Sequence, residues 1–172
     1  TLKNCDDGEL YLENHKSESI VLDDNKIKSS TYNSDQGYGF RAVTGEVVAY
    51  SHSNDISKES LRKSSENLKD TLKSKKGTYN HEIPKTNSKY YENINPIESK
   101  TFDSKIDLLN SVNNYLRSKG SIVNQVTANF LGEHKSIEII RSDNQVLKDD
   151  RPLVRFNVSV VLEKDGKKET GV

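Results

Sequence analysis

The chain of 172 residues contains no tryptophan and no methionine, one cysteine and three prolines. The lone Cys5 cannot form a disulfide within the chain, which agrees with a reducing cytoplasm. No run approaches the roughly 18 apolar residues of a transmembrane helix, and no secretory leader pattern is present. We therefore expect a cytoplasmic protein without a membrane partner.

The chain also has no excess of charge of either sign, because 26 basic residues balance 26 acidic residues. Nucleic acid is not an expected partner, since no cluster of Lys and Arg is long enough to follow a phosphate backbone. Hydrophobic residues make up only 31% of the chain, and the mean hydropathy is −0.84. This composition favours a thin core, with helices on one face of a single sheet and the other face or an edge covered by sequence outside this chain.

Two regions, 8–53 and 121–163, alternate apolar and polar residues with the period of a β-strand. Turn residues that tolerate positive φ interrupt them at Asp24-Asn25, Thr44-Gly45 and Asp143-Asn144. The apolar members of the final strand are Val154, Phe156, Val158, Val160 and Leu162, and their spacing predicts a half-buried strand. Both regions are therefore predicted to form antiparallel strands.

Between these regions, apolar residues recur with the spacing of a helix at 57–76 and again at 101–118. Thr101 is the predicted N-cap of the second helix. The intervening residues 78–100 include Pro84 and Pro96 and are predicted to be a linker. The sequence thus predicts one α+β domain over 1–172, in which an N-terminal meander and C-terminal strands form a mostly antiparallel sheet with two main helices.

Gly37 and Gly39 alternate with Tyr38 and Phe40, so that one face of their strand is nearly bare backbone. Close packing of another element is the simpler explanation, and a surface that receives a peptide or a partner strand is the alternative. Arg41 and Arg155 also lie on strands, where each could clamp a carboxylate or form a salt bridge within the chain. The candidate substrate or partner surface consists of Gln36, Gly37, Gly39, Arg41 and Arg155.

A zinc peptidase site needs two histidines on adjacent turns of one helix face. The only His-Glu pair, His81-Glu82, has no histidine at position 85 or 86, and Pro84 breaks any helix there. His15, His52 and His134 show no ligand spacing and are expected to be solvated or edge residues. The sequence therefore predicts no catalytic residue and no metal ligand in this chain.

Three segments in order resemble one known family over about 160 residues. They are residues 8–24, with Gly8-Glu9-Leu10-Tyr11 and Val21-Leu22-Asp23-Asp24; residues 35–42, DQGYGFRA; and residues 151–161, RPLVRFNVSVV. Tyr91 to Ser99, YENINPIES, is similar to the linker of the same family. On these motifs the chain is identified as a member of the TldD/PmbA family, once called modulators of DNA gyrase and understood as metallopeptidases.

The resemblance implies the N-terminal domain of a TldD-type subunit, which contributes a cleft wall and dimer surface to an enzyme that hydrolyses extended or unfolded peptides. The family's HExxxH motif has no counterpart here, so the resemblance implies a catalytic half beyond Val172, with zinc or another divalent metal bound there and none by this fragment. It also implies a TldD/PmbA-type partner subunit or a homodimer. The alternative is a non-catalytic PmbA-like module that binds a peptide or subunit only.

Overall fold

The computed structural model describes residues 5–72 and 90–172 of the chain. Within these ranges six strands form one sheet in the order β3-β2-β1-β4-β5-β6, and two helices accompany it. The strands are β1 (Asp7–Asp23), β2 (Lys26–Thr44), β3 (Val47–Ser53), β4 (Val123–Arg141), β5 (Val146–Lys164) and β6 (Lys167–Gly171), and the helices are α1 (Lys58–Leu72) and α2 (Phe102–Arg117). The sheet is antiparallel, which confirms the predicted α+β class.

Short turns connect the neighbouring strands because their residues adopt positive φ. Asp24 and Asn25 join β1 to β2 with φ of 50° and 67°, as the sequence predicted. The β2–β3 turn is shifted by one residue from the prediction, since Thr44 still pairs with Val47 and Gly45 has the positive φ of 60°. Asp165 and Gly166 form a further turn to β6, a strand that lies beyond the predicted region 121–163.

The chain divides into two compact units, each of which takes segments from the long strands. Unit 1 comprises Thr1–His15, Asp35–Glu92 and Lys135–Asp150, and unit 2 comprises Lys16–Ser34, Asn93–His134 and Arg151–Val172. The helix α1 belongs to unit 1 and α2 to unit 2. Among the described residues, each unit therefore has strands and one helix.

In unit 1, α1 packs on the even-numbered residues of β2. Tyr38, Phe40 and Ala42 form a buried cluster with Ala49, Leu68 and Leu72. The Tyr38 hydroxyl bonds the Ser64 Oγ at 2.7 Å and donates to the Ser60 carbonyl at 3.0 Å, which fixes the helix against the strand. The helix was predicted to continue to residue 76, and positions 73–76 lie outside the described residues.

In unit 2, Leu109 of α2 is fully buried against Ile20, Leu22, Ala128 and Phe130. Thr101 caps this helix as predicted, because its Oγ1 accepts a hydrogen bond from the Ser104 backbone N–H at 3.2 Å. The prediction that β5 buries its apolar face is only partly correct. Val158 packs against the cluster, whereas Val154 is 52% exposed and Phe156 is 38% exposed.

Candidate functional site

The odd-numbered residues of β2 in unit 1 face away from α1, and a groove of about 330 Å³ lies along them. We call it the glycine groove. Its lining consists of Tyr11, Glu13 and His15 from β1, residues 35–39 from β2 and Tyr50 from β3. Because alternate residues of a strand share a face, Tyr11, Glu13 and His15 stand side by side along it.

The two glycines leave room for atoms of β3. A Cβ at Gly39 would lie 2.8 Å from the Tyr50 hydroxyl oxygen, and one at Gly37 would lie 3.0 Å from the Ser53 carbonyl oxygen. The Tyr50 ring also stacks on His52, with ring centroids 5.8 Å apart. The sequence predicted that another part of a protein approaches the bare strand face closely. At Gly37 and Gly39 that part is β3 of the same chain.

Glu13 carries a negative charge into the groove. The Tyr11 hydroxyl donates a hydrogen bond to its Oε2, and the Lys135 ammonium lies 3.4 Å from its Oε1. Partial burial disfavours ionisation, but the hydrogen bond from Tyr11 and the charge of Lys135 together outweigh it, so the pKa of Glu13 lies below its ordinary value. Glu13 is consequently a carboxylate at neutral pH.

The five residues of the predicted surface have different surroundings. Gln36, Gly37 and Gly39 line the glycine groove, and Arg41 does not. The Arg41 guanidinium donates to Asp7 Oδ2 at 3.0 Å, while Arg141 donates to the other oxygen of the same carboxylate at 3.3 Å. Arg155 belongs to unit 2, where it is exposed and its Nε donates to Asn157 at 3.3 Å.

The three described histidines, His15, His52 and His134, do not form a metal centre. No group of three His, Cys, Asp or Glu side chains in residues 5–72 and 90–172 is arranged to hold a metal ion. The expectation that His134 is a solvated or edge residue was wrong, because β4 lies between β1 and β5 in the sheet and His134 is only 9% exposed. His52 is exposed as expected, and His81-Glu82 lies outside the described residues.

The sequence did not single out Tyr11, Glu13, Asp35 or Tyr50, although a signal for the first two existed. Since β1 ends at Asp23 and β2 begins at Lys26, position 11 precedes the turn by as many residues as position 38 follows it. Counting outward from the predicted turn therefore places Tyr11 and Glu13 beside the glycine segment, but on the face of Tyr38 that α1 covers. The structure places them on the other face, because Leu10 and Leu12 are the β1 residues that pack against the cluster containing Tyr38.

No helix among the described residues is long and apolar enough to cross a membrane. The family models that match the chain are PmbA/TldA metallopeptidase domain 1, over residues 8–73, and PmbA/TldA metallopeptidase central domain, over residues 95–172. The gap between the two models, residues 74–94, overlaps the predicted linker 78–100.

Curated relatives match nearly the whole chain. The Metalloprotease TldD homologs of two Buchnera aphidicola strains, from Acyrthosiphon pisum and from Schizaphis graminum, are 35% and 34% identical to it, each over 98% of the chain. The Metalloprotease TldD homolog of Haemophilus influenzae is 34% identical over 98% of the chain. The chain spans 35–36% of the length of these relatives.

Solved structures share the fold. A modulator of a DNA gyrase from Thermotoga maritima superposes with a TM-score of 0.75 at 11% identity, covering 96% of this chain and 38% of that one. TldE from Thermococcus kodakarensis superposes with a TM-score of 0.67 at 12% identity, covering 95% of this chain and 38% of that one. The likeness to these structures is one of fold, and the two family models, which match residues 8–73 and 95–172, establish that the chain belongs to the TldD/PmbA family of metallopeptidases.

Proposed function

We propose that this chain is the part of a TldD-type metallopeptidase that holds an extended peptide, and that hydrolysis takes place at residues outside it. The glycine groove carries the proposal. It lies on the face of unit 1 that α1 does not cover, and it passes Gly37 and Gly39, whose missing side chains make room for the Ser53 carbonyl and the Tyr50 ring. A peptide in extended form suits a groove that runs along a strand, because main-chain groups can lie in it whatever the peptide's sequence.

The metal of the proposed enzyme does not fit the described residues. Glu13, His15 and Asp35 line the groove, but neither these three nor any other three His, Cys, Asp or Glu side chains of the described residues are arranged to hold a metal ion. The chain spans about a third of its TldD relatives, so we place the zinc or other divalent ion in the remaining part of the protein. In this proposal the 172-residue chain alone is inactive.

A partner subunit is part of the same proposal, as a TldD/PmbA-type chain or a second copy. The competing function is a non-catalytic module that binds a peptide or subunit only. The relatives at 34–35% identity are all named metalloproteases, which favours the enzyme. The likeness to TldE is one of fold alone at 12% identity and does not favour the second function.

The proposal is tested by measuring hydrolysis of unstructured peptides by the complete protein, with the variant Gly39→Ala. The added Cβ would clash with the Tyr50 hydroxyl, whose ring must then move within the groove. We expect kcat/KM to fall about tenfold, and chelation of the metal to abolish hydrolysis. Gly171→Ala is the matched control, because a Cβ there meets no atom within 4 Å.

Equal activity of Gly39→Ala and Gly171→Ala would remove the groove from the proposal. A complete protein that binds peptides without hydrolysing them, with or without added zinc, would establish the non-catalytic module instead.

A further inference from the structure

The glycine groove combines carboxylates with aromatic rings. Among the residues that line it, Glu13 and Asp35 are acidic and none is Lys or Arg. Asp35 is exposed and forms no ion pair with any described residue, since its charge has no cationic neighbour within 4.0 Å in residues 5–72 and 90–172. The groove therefore carries two carboxylates, and Lys135, which lies 3.4 Å from Glu13 Oε1, balances one of them.

Two tyrosines stand at the walls of this negative groove. Tyr11 comes from β1 and Tyr50 from β3, which are the two neighbours of β2 in the sheet. Tyr50 is 64% exposed, and its ring lies over Gly39. A ring face attracts a cation through its quadrupole, and it does so more strongly where part of the water has been excluded.

The size of the groove limits what it can hold. At about 330 Å³ it is at the lower end of the range of ligand pockets, which is roughly 300–1,000 Å³. That volume suits one long side chain and the adjoining backbone better than a folded partner. A lysine or arginine side chain matches it, because its stem is apolar and its end is cationic.

We propose that the glycine groove selects a lysine or arginine side chain of the bound peptide, with Asp35 and Glu13 neutralising the cation and Tyr50 covering its stem. This inference rests on the proposed function, since it names the kind of peptide that the same groove prefers. The β2 backbone in the groove would contact the main chain of any peptide. The preference for lysine or arginine arises from the carboxylates of Glu13 and Asp35 and from the Tyr50 ring.

The experiment is an NMR titration of the 172-residue chain with two capped pentapeptides, acetyl-Ala-Ala-Lys-Ala-Ala-amide and the same peptide with norleucine in place of lysine. The two side chains have similar apolar stems, so the difference in Kd isolates the cation. We expect the lysine peptide to bind about tenfold more tightly at low salt, with shifted amide signals at Gly37 and Gly39.

Two variants with matched controls test the residues. Asp35→Asn is expected to weaken binding of the lysine peptide about fivefold and to leave the norleucine peptide unchanged. Asp107→Asn removes the same charge from an exposed position of α2 and should change neither Kd. Tyr50→Leu should weaken lysine binding more than norleucine binding, whereas Tyr90→Leu, at a residue 81% exposed and outside the groove, should not.

The outcomes separate the two proposals. Equal affinity for both peptides, with shifts at Gly37 and Gly39, would overturn the cation preference and keep the peptide groove. Equal weakening by Asp35→Asn and Asp107→Asn would also overturn it, because the effect would then be one of net charge. Binding of neither peptide would overturn the proposed function and this inference with it.

Discussion

At the scale of single residues, Asp23 shows how one carboxylate at a strand end holds several neighbours within unit 2. Its Oδ1 accepts hydrogen bonds from Gln125 Nε2 at 2.7 Å and from Thr127 Oγ1 at 2.8 Å. Lys28 donates to its Oδ2 at 3.1 Å. The hydrogen bonds from Gln125, Thr127 and Lys28 lower the pKa of Asp23, because each stabilises the charged form.

The pH dependence of stability follows from this lowered pKa. The unfolded carboxyl titrates near pH 3.9, so the stabilisation by Asp23 is complete above that pH and is lost as the pH falls through the lower pKa of the folded state. We therefore expect Asp23→Asn to lower the Tm at about pH 7, and this deficit to shrink as the pH falls from about 3.9 towards about 2. Thermal unfolding followed by circular dichroism between these values measures it.

Asp107→Asn is the control for this experiment, because Asp107 is exposed on α2 and makes no such contacts with described residues. A Tm deficit of Asp23→Asn that stays constant from neutral to acid pH would show that the charge of the carboxylate is not what stabilises the fold.

At the scale of elements, a buried ion pair joins α2 to β1 in unit 2. The Lys105 ammonium contacts the Glu18 carboxylate and donates to the Ile97 carbonyl at 2.6 Å. The two side chains are only 5% and 9% exposed. Because Ile97 lies in the segment before α2 and is itself buried, this pair also anchors that segment against the sheet.

Removing one charge of this pair should destabilise the fold more than replacing both side chains by apolar ones. Glu18→Gln leaves the Lys105 charge buried without a counter-charge, and we expect it to reduce the free energy of unfolding by about 3–5 kcal/mol. The double variant Glu18→Leu with Lys105→Met removes both charges and should recover at least half of that loss. Urea unfolding curves measure both values.

The control here is the exposed pair of Glu59 and Arg62 on α1, where Glu59→Gln should leave the unfolding midpoint unchanged within error. If Glu18→Gln behaved like this control, the buried pair would contribute no more than a surface pair.

The elements themselves were largely predictable. The period-two pattern and the turn at Asp24-Asn25 predicted β1 and β2, and Thr101 with its following apolar spacing predicted α2. The first half of β2 lacked such a signal, because residues 26–36 are exposed on both faces of the strand. A pattern of apolar residues reports only on strands that bury one face.

At the scale of the whole molecule, residues 5–72 and 90–172 offer no place for the metal that the family implies. The described residues bring no three suitable ligands together. We therefore expect the Tm of the 172-residue chain to be unchanged by a chelator or by added zinc, because a metal that bound the folded state would raise it. Differential scanning calorimetry with and without each additive measures this.

The complete protein provides the comparison, since chelation should both lower its Tm and stop hydrolysis if the metal lies in the remaining part. A zinc-dependent rise in the Tm of the 172-residue chain would show instead that this chain binds the ion.

The candidate site was predictable only in part. Gly37 and Gly39 were recognisable because glycine alternating with aromatic residues leaves a bare strand face, and both line the groove. Whether that surface receives a peptide remains a prediction. Arg41 and Arg155 were chosen because an Arg on a strand can clamp a carboxylate, with a salt bridge as the alternative. Arg41 forms such a salt bridge, with Asp7, and Arg155 belongs to the other unit.

The sequence by itself determined the antiparallel strands, the capped helix and the family, because strand period, turn residues, caps and motifs are properties of neighbouring positions. Only the tertiary structure decided that Tyr50 covers Gly39, that Glu13 and Asp35 share one groove, and that His134 is buried. These features depend on which strands lie side by side and which face a helix covers. Such contacts join residues far apart in the chain, and no local pattern specifies them.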